Sequence, residues 1–288
     1  MTSPFYKAFE DLHRGPRESI KTRLAVYLPF LEKVKAIYPD TEVLDLGCGR
    51  GEWLELLQDQ GFNASGVDQD NDMLAVCRLQ GLKVITGDAL AYLKTQATES
   101  KGVISGFHLA EHISFADLQS LVTESLRVLK PAGLLILETP NPENLVVGSS
   151  SFYLDPTHLR PLPSELLSFL AIHSGFARSK VLGLQESIPL RSENAPTSLF
   201  AVLSGVSPDY AVIAQKAGGS NDEQKLASFE ALFKKEYGLS LETLANRYQA
   251  HLNHLEGQIQ FLSKRVDIVW KILTPIRIPI CWLWNFFK

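Results

Sequence analysis

"VLDLGCGRGEW", Val43 to Trp53, is an apolar run that breaks into glycines at alternate positions, with Asp45 ahead of them and no lysine behind. Glycines in such a place let backbone come close to a ligand, and the neighbouring charges decide which ligand. A dinucleotide loop turns a helix N-terminus toward a pyrophosphate, and a P-loop adds Lys with Ser or Thr to neutralise phosphate. The spacing Gly47-x-Gly49-x-Gly51 matches neither, and Asp45 suits an amine better than a phosphate. About 20 residues on, "GVDQD" closes a second β-run with Asp68, a position from which an acid accepts hydrogen bonds from ribose hydroxyls. "GDA" closes a third with Asp88, where a carboxylate or the adjacent backbone can read an adenine amino group. The pattern calls for a nucleoside that carries an amino acid rather than phosphates.

Outward from this loop, residues 41–216 alternate short β-rich runs with amphipathic helical stretches, the signature of an α/β fold with a mainly parallel sheet. The runs "EVLDL", "NASGVD", "KVITG", "GVISGFH", "LLILET", "ARSKVLGL" and "YAVIAQ" read as strands. In "FADLQSLVTESLRVLKPAG", Leu118, Leu121, Val122, Leu126 and Leu129 recur at helical spacing, and Pro131 with Gly133 stops the helix. "SIKTRLAVYLPFLEKVKAIY", ahead of the sheet, reads as a helix packed on it and kinked at Pro29. A chain of 288 residues, 45% hydrophobic and 21% charged, supports one sizeable core with an appendage. The net charge of −4 gives no basic field for nucleic acid. Cys48, Cys77 and Cys281 lack any CxxC pairing, which indicates neither a disulfide framework nor a structural zinc site and fits a reducing cytoplasm. "MTSPFYKAFEDLHRG" has no secretory h-region, and no run reaches the roughly 20 apolar residues of a membrane span.

Taken together, "VLDLGCGRGEW", "GVDQD", "GDAL" and "LRVLKPAGLLILETPNP" resemble, over residues 1–216, the ordered motifs of a class I S-adenosylmethionine-dependent methyltransferase. The resemblance implies a Rossmann-like, seven-stranded, mainly parallel sheet with an N-terminal helical cap, and S-adenosylmethionine as cofactor. Gly47, Gly49, Asp68, Asp88 and Ala89 would line the crevice, with Asp45 beside them. Tyr6 and Arg23 in the cap are further candidates, because the methionine carboxylate needs a cation and Arg23 offers a guanidinium fork. "FYKAFEDLHRGPRESIKTRLAVYLPF" and "FYLDPTHLRPLP" are similar to segments of methyltransferases from bacterial O-antigen and surface-polysaccharide clusters. That similarity implies a glycan or lipid-linked glycan acceptor.

Methyl transfer is an in-line displacement in which the enzyme mainly positions the acceptor, but a hydroxyl acceptor must also lose a proton. "FHLAEHI", after the fourth strand, supplies His108, Glu111 and His112 as catalytic candidates, with histidine titrating in the range of a general base. The bland alternatives are that His108 stacks on adenine and His112 caps the next helix. H-x-x-E-H also matches a zinc-protease motif, but those ligands need a helix and this motif ends a strand. Methyltransferases that make ubiquinone carry E-x-x-E-H here, which leaves room for a divalent ion. In "FYLDPTHLRPLP" both Asp155-Pro156 and Arg160-Pro161 oppose helix. Tyr153 could stack on a sugar, His158 take or relay the proton, and Arg160 meet an anion, with Asp155 either in the acceptor wall or capping a turn. Arg191, in "ESIPLRSENAPTS", belongs to a flap beside the crevice, and Asn141 and Asn144 are substrate contacts or turn residues.

The expected organisation is a cap at 1–40, a methyltransferase domain at 41–216, a linker at 217–224, a helical or coiled-coil segment at 225–274 and an aromatic amphipathic tail at 275–288. Leu252, Leu255, Ile259, Leu262, Val266, Val269 and Leu273 alternate steps of three and four, which points to a coiled coil and a homo-oligomer or to a helix folded back on the domain. Trp282, Trp284, Phe286 and Phe287 suit an interfacial anchor or a protein contact at the inner face of the membrane. The leading expectation is an O-methyltransferase for a sugar hydroxyl or sugar phosphate of a bacterial surface polysaccharide. Its alternatives are a small-molecule methyltransferase of the quinone or natural-product kind and a non-catalytic scaffold of the same fold.

Overall fold

The computed structural model describes residues 15–192, 195, 198–219 and 222–286, with side chains through residue 273 apart from residue 222. Helices α1 (Arg17–Leu24) and α2 (Leu28–Ile37), joined by a 3-10 turn at Ala25–Tyr27, precede the sheet. Then come β1 (Glu42–Leu46), α3 (Glu52–Asp59), β2 (Asn63–Asp68), α4 (Asn71–Leu79), β3 (Lys83–Thr86), α5 (Ala89–Thr95) and β4 (Lys101–Phe107). They are followed by α6 (Phe115–Val128), β5 (Leu129–Pro140), α7 (Leu145–Ser149), α8 (Ser164–His173), β6 (Arg178–Leu184), α9 (Leu199–Ser204) and β7 (Asp209–Gln215). Beyond the sheet lie α10 (Asp222–Ala227), α11 (Glu230–Lys234) and α12 (Leu241–Phe286).

The strands lie in the order β3-β2-β1-β4-β5-β7-β6, with β7 antiparallel to both its neighbours and the other pairings parallel. This is the expected seven-stranded Rossmann-like sheet. The strand order reverses between β1 and β4, so a crevice for ligands opens outside the carboxyl ends of those strands. Pleating sends alternate residues of β5 to opposite faces. Leu134 and Ile136 join one core with Tyr27, Phe30, Leu31 and Trp53, whereas Leu135 and Leu137 join the other with Leu118, Leu121, Leu167 and Leu170. Glu138 and Thr139 continue the alternation, which puts their side chains on opposite faces at the crevice end.

Three expected boundaries move. The kink at Pro29 becomes a break, because proline sits in the first turn of α2, where its missing N–H is not needed. Helix α6 stops at Val128 and β5 begins at Leu129, ahead of the expected "LLILET", since Pro131 disfavours helix at the residue before it. A register shift between Lys101 and Val103 absorbs the extra residues of β5, with Ala132 at φ 62°. At the C-terminus, the expected segment from 225 and separate tail from 275 give way to two short helices and one 46-residue helix that continues past both tail prolines.

The start of α12 is anchored by Leu244, which is buried with Val202, Val206 and Leu239. Further along it leaves the domain: Ile259, Leu262, Val266, Val269 and Leu273 are all exposed, so the fold-back alternative does not hold for this stretch. Among the described residues no helix is long and apolar enough to cross a membrane.

Candidate active site

The three loop glycines, Gly47, Gly49 and Gly51, have φ of 71°, 50° and 77°, so each takes the left-handed conformation that glycine permits. At Gly51 the need is also steric, because a Cβ there would lie 2.8 Å from both Cys77 Sγ and Leu82 Cδ1. Asp68 ends β2 and accepts one backbone N–H on each oxygen, from Gly49 at 2.8 Å and from Asp70 at 2.8 Å. Each oxygen keeps a lone pair for a further donor, as ribose recognition requires. Asp88 caps α5 through Ala91 N–H and also accepts from Gln69 Nε2 at 2.9 Å, with Ala89 opening the helix behind it. Asp45 is buried and accepts from Ser105 Oγ at 2.7 Å, and Ser105 in turn accepts from Trp53 Nε1. The acidic ends of β2 and β3 and the tight glycine turn fit a nucleoside with an amino-acid tail.

Across the switch point, His108 follows β4 with φ 52°, a conformation a residue with a side chain rarely adopts. Its Nδ1 lies 3.1 Å from Glu111 Oε1, and its Nε2 lies 3.6 Å from Glu138 Oε1. A carboxylate can only accept, so Nδ1 carries the proton. Burial works against the charged ring, but the hydrogen bonds to Glu111 and Glu138 and the field of Asp209 outweigh it and hold its pKa well above that of an ordinary histidine. The ring leaves 44% of its side chain open, so hydration tempers these effects without reversing the direction. Glu111 is fully buried and also accepts from Thr139 Oγ1 at 2.9 Å. Burial pushes its carboxyl up, yet the His108 bond and charge bring it below the usual range.

Glu138 accepts from the fully buried Tyr27 hydroxyl and, at 3.3 Å, from Gln185 Nε2. Asp209, at the start of β7 opposite Pro140, has its pKa raised by burial and by the charges of Glu138 and Glu111. The charge of His108 and, less strongly, the field of Arg23, exposed in the last turn of α1, act on Asp209 in the opposite sense.

A second group lies on the other side of Glu111. Thr157 Oγ1 donates to Asp155 Oδ1 at 2.6 Å, which uses its only proton, so His112 Nδ1, 2.9 Å from the same Oγ1, must be the donor there. His158 Nδ1 faces the Phe152 carbonyl at 2.6 Å and likewise carries its proton. Both Nε2 atoms then hold free lone pairs when the rings are neutral. The two imidazoles meet edge to face at 4.7 Å. Burial lowers the His112 pKa, and the charge of His158 adds to this against the opposing field of Glu111.

The structure thus splits the H-x-x-E-H motif: His108 groups with Glu138 and Asp209, while Glu111 and His112 group with His158. His112 does not cap the next helix, a role filled by Ser114. Asp155 both caps its turn, through Thr157 N–H, and orients His112. Tyr153 is 63% exposed beside Phe152, where its face can meet a ligand. Arg160 stacks over Phe115 at 4.4 Å, and Arg191 pairs through Nε with Glu186 at 2.8 Å. Asn141 and Asn144 are buried turn residues whose amides tie down the carbonyls of Ser207, Ser204 and Val206. Tyr6 lies outside the described residues.

Sequence reading missed Tyr27, Glu138, Thr157, Gln185 and Asp209. Thr157 had a signal, since a hydroxyl two residues after an aspartate commonly joins its turn. Tyr27 and Glu138 are single polar letters in apolar runs, and Gln185 and Asp209 sit at strand ends with nothing local to mark them.

A family model described as a methyltransferase domain matches residues 12–176. A probable S-adenosylmethionine-dependent methyltransferase of Mycolicibacterium smegmatis is 32% identical over 144 residues, which cover 50% of this chain and 54% of that protein. A ubiquinone biosynthesis O-methyltransferase of Vibrio atlanticus is 30% identical over 118 residues, covering 38% and 48%. The chain therefore spans about half the length of these relatives. The crystal structure of a SAM-dependent methyltransferase from Archaeoglobus fulgidus aligns with a TM-score of 0.64 at 31% identity, covering 74% of this chain and 100% of that one. With its glycine turn and ribose-type acid in place, the chain belongs to the S-adenosylmethionine-dependent methyltransferases.

Proposed function

We propose that this protein transfers a methyl group from S-adenosylmethionine to a hydroxyl oxygen, with a sugar of a bacterial surface polysaccharide as the acceptor. The observation that carries the hydroxyl reading is the relay Asp155–Thr157–His112, which fixes the imidazole tautomer and leaves Nε2 as a base. A lowered His112 pKa keeps that base neutral near pH 7. The sulfonium supplies an already activated methyl, so the protein's tasks are to hold both partners in line and remove one proton. Gly47, Gly49, Asp68, Asp88 and Ala89 hold the donor side, with Asp45 behind the glycine turn. Tyr153 and His158 form the acceptor wall beside His112. A phosphate acceptor is disfavoured at this end of the crevice, because His108 stands among three carboxylates.

The polysaccharide assignment is supported by the likeness of "FYLDPTHLRPLP" to the surface-polysaccharide group. The exposed apolar face of α12 would join copies of the chain and hold them near a membrane-bound assembly complex, on its cytoplasmic side. The test is to incubate the protein with methyl-labelled S-adenosylmethionine and a lipid-linked polysaccharide extract. Label in glycan that survives phosphoester cleavage is the expected result, and label lost on cleavage would sink the hydroxyl reading.

A quinone-type acceptor is the second reading, favoured by the relatives named as ubiquinone biosynthesis O-methyltransferases. Label extracted into an organic phase with a small aromatic product, and none in glycan, would select it.

A further inference from the structure

We infer that His108, Glu138 and Asp209 form a binding site for a divalent cation of the Mg²⁺ or Mn²⁺ kind. One ligand atom from each lies within 4.8 Å of the other two, at the crevice ends of β4, β5 and β7. The site shares only Glu111, which orients His108, with the His112 group.

Charge is the first reason. Glu111, Glu138 and Asp209 bring three carboxylates to one imidazole, and Glu111 and Glu138 are almost fully enclosed. Buried charges are paired or coordinate metals, and even a protonated His108 leaves negative charge in excess. Besides His108 itself, the field of Arg23 reaches Asp209, but Arg23 stands exposed at the end of α1. No described residue donates a hydrogen bond to the half-buried Asp209 carboxylate.

The second reason is how the ligands are held. Metal-binding histidines usually donate their other N–H to a carboxylate, and ligating carboxylates are themselves hydrogen-bonded. Here Glu111 takes the His108 Nδ1 proton and so turns Nε2 toward Glu138. Tyr27 and Gln185 fix Glu138 from two other elements. The left-handed backbone at His108 is strain spent on aiming this ring. One imidazole and two carboxylates suit a hard or borderline divalent ion better than a thiophilic one. The remaining coordination positions would face the crevice, open to water or an acceptor oxygen.

The test reads binding without turnover. Mn²⁺ is titrated into the full chain while the free-ion electron paramagnetic resonance signal is followed. One saturable site per chain is expected, weakened at least ~10-fold by Glu138→Gln and by Asp209→Asn, and unchanged by Glu236→Gln at a 93% exposed surface position. Circular dichroism checks that each variant is folded. Should either variant unfold, Tyr27→Phe removes only the hydroxyl on Glu138 and is expected to weaken Mn²⁺ by roughly 10-fold. Absence of saturable binding at millimolar Mn²⁺, or equal affinity in all variants, would overturn the site. Competition between S-adenosylmethionine and Mn²⁺ would overturn it too, by assigning the carboxylates to the cofactor's ammonium.

Discussion

Asp68 and Glu138 are carboxylates at the same edge of the same sheet, on either side of the switch point, and they are held in opposite ways. Asp68 is fixed by backbone N–H groups 2 and 19 residues away, in the turns that follow its own strand and the neighbouring β1. Glu138 is fixed by side chains, Tyr27 at a separation of 111 residues and Gln185 at 47. The proposed donor side of the crevice is therefore a product of turn geometry, whereas the Glu138 part of the proposed acceptor side exists only once the cap, β5 and the β6–β7 pair have docked. That difference sets what each half can vary. Turn geometry preserves one ligand, and long-range side chains can be exchanged to admit different acceptors.

The comparison would be broken most directly at the acceptor half. His112→Ala removes the proposed base and is expected to lower kcat by ~10²–10⁴-fold, with S-adenosylmethionine affinity unchanged. Steady-state kinetics beside calorimetry check this. Equal losses in kcat and cofactor binding would mean that the halves are one unit. The complementary change is Asp68→Ala. Losing charge-assisted hydrogen bonds of about 1.5–3 kcal/mol should weaken cofactor affinity by roughly 10–100-fold while saturated turnover persists.

Stability separates the halves on a smaller scale. Tyr27→Phe leaves the buried Glu138 short of a donor and should cost about 1–3 kcal/mol. Asp88→Ala removes a helix cap whose orphaned N–H can turn to water and should cost about 1 kcal/mol. Denaturant titration of both variants measures the order, and a costlier Asp88→Ala would contradict the contrast.

The same contrast explains what could be read from sequence. β1 and β2 fall where "EVLDL" and "NASGVD" place them, because apolar runs bounded by glycine and aspartate are local signals. The places of Asp68, at the end of β2, and Asp88, ahead of α5, follow from the same signals. Glu138 sits in "LLILETP" as one polar letter in a strand, and nothing in its neighbours says that Tyr27 will meet it. Likewise, nothing in the neighbours of Arg160 says that it will stack over Phe115 from another element. The length of α12 was hidden by Pro275 and Pro279, which argue for a stop by local propensity.

The smallest expected effect is a pH signature that tells the two histidine groups apart. In His112 the folded pKa lies below the ordinary value, mainly through burial, so in the window between the two the unfolded chain binds more protons than the folded one. Stability must then fall as the pH drops through that window. In His108 the folded pKa is raised, because carboxylate hydrogen bonds overcome burial, so its contribution is complete below the unfolded value and fades as pH rises through the folded one. His112→Gln should flatten the acid side of the melting-temperature profile, while His108→Gln should lower the plateau below neutrality and leave the alkaline end nearly unchanged. Thermal melts at closely spaced pH values would show this. Identical profiles for the two variants would mean that the imidazoles share one environment, and that the division of the motif at Glu111 has no energetic content.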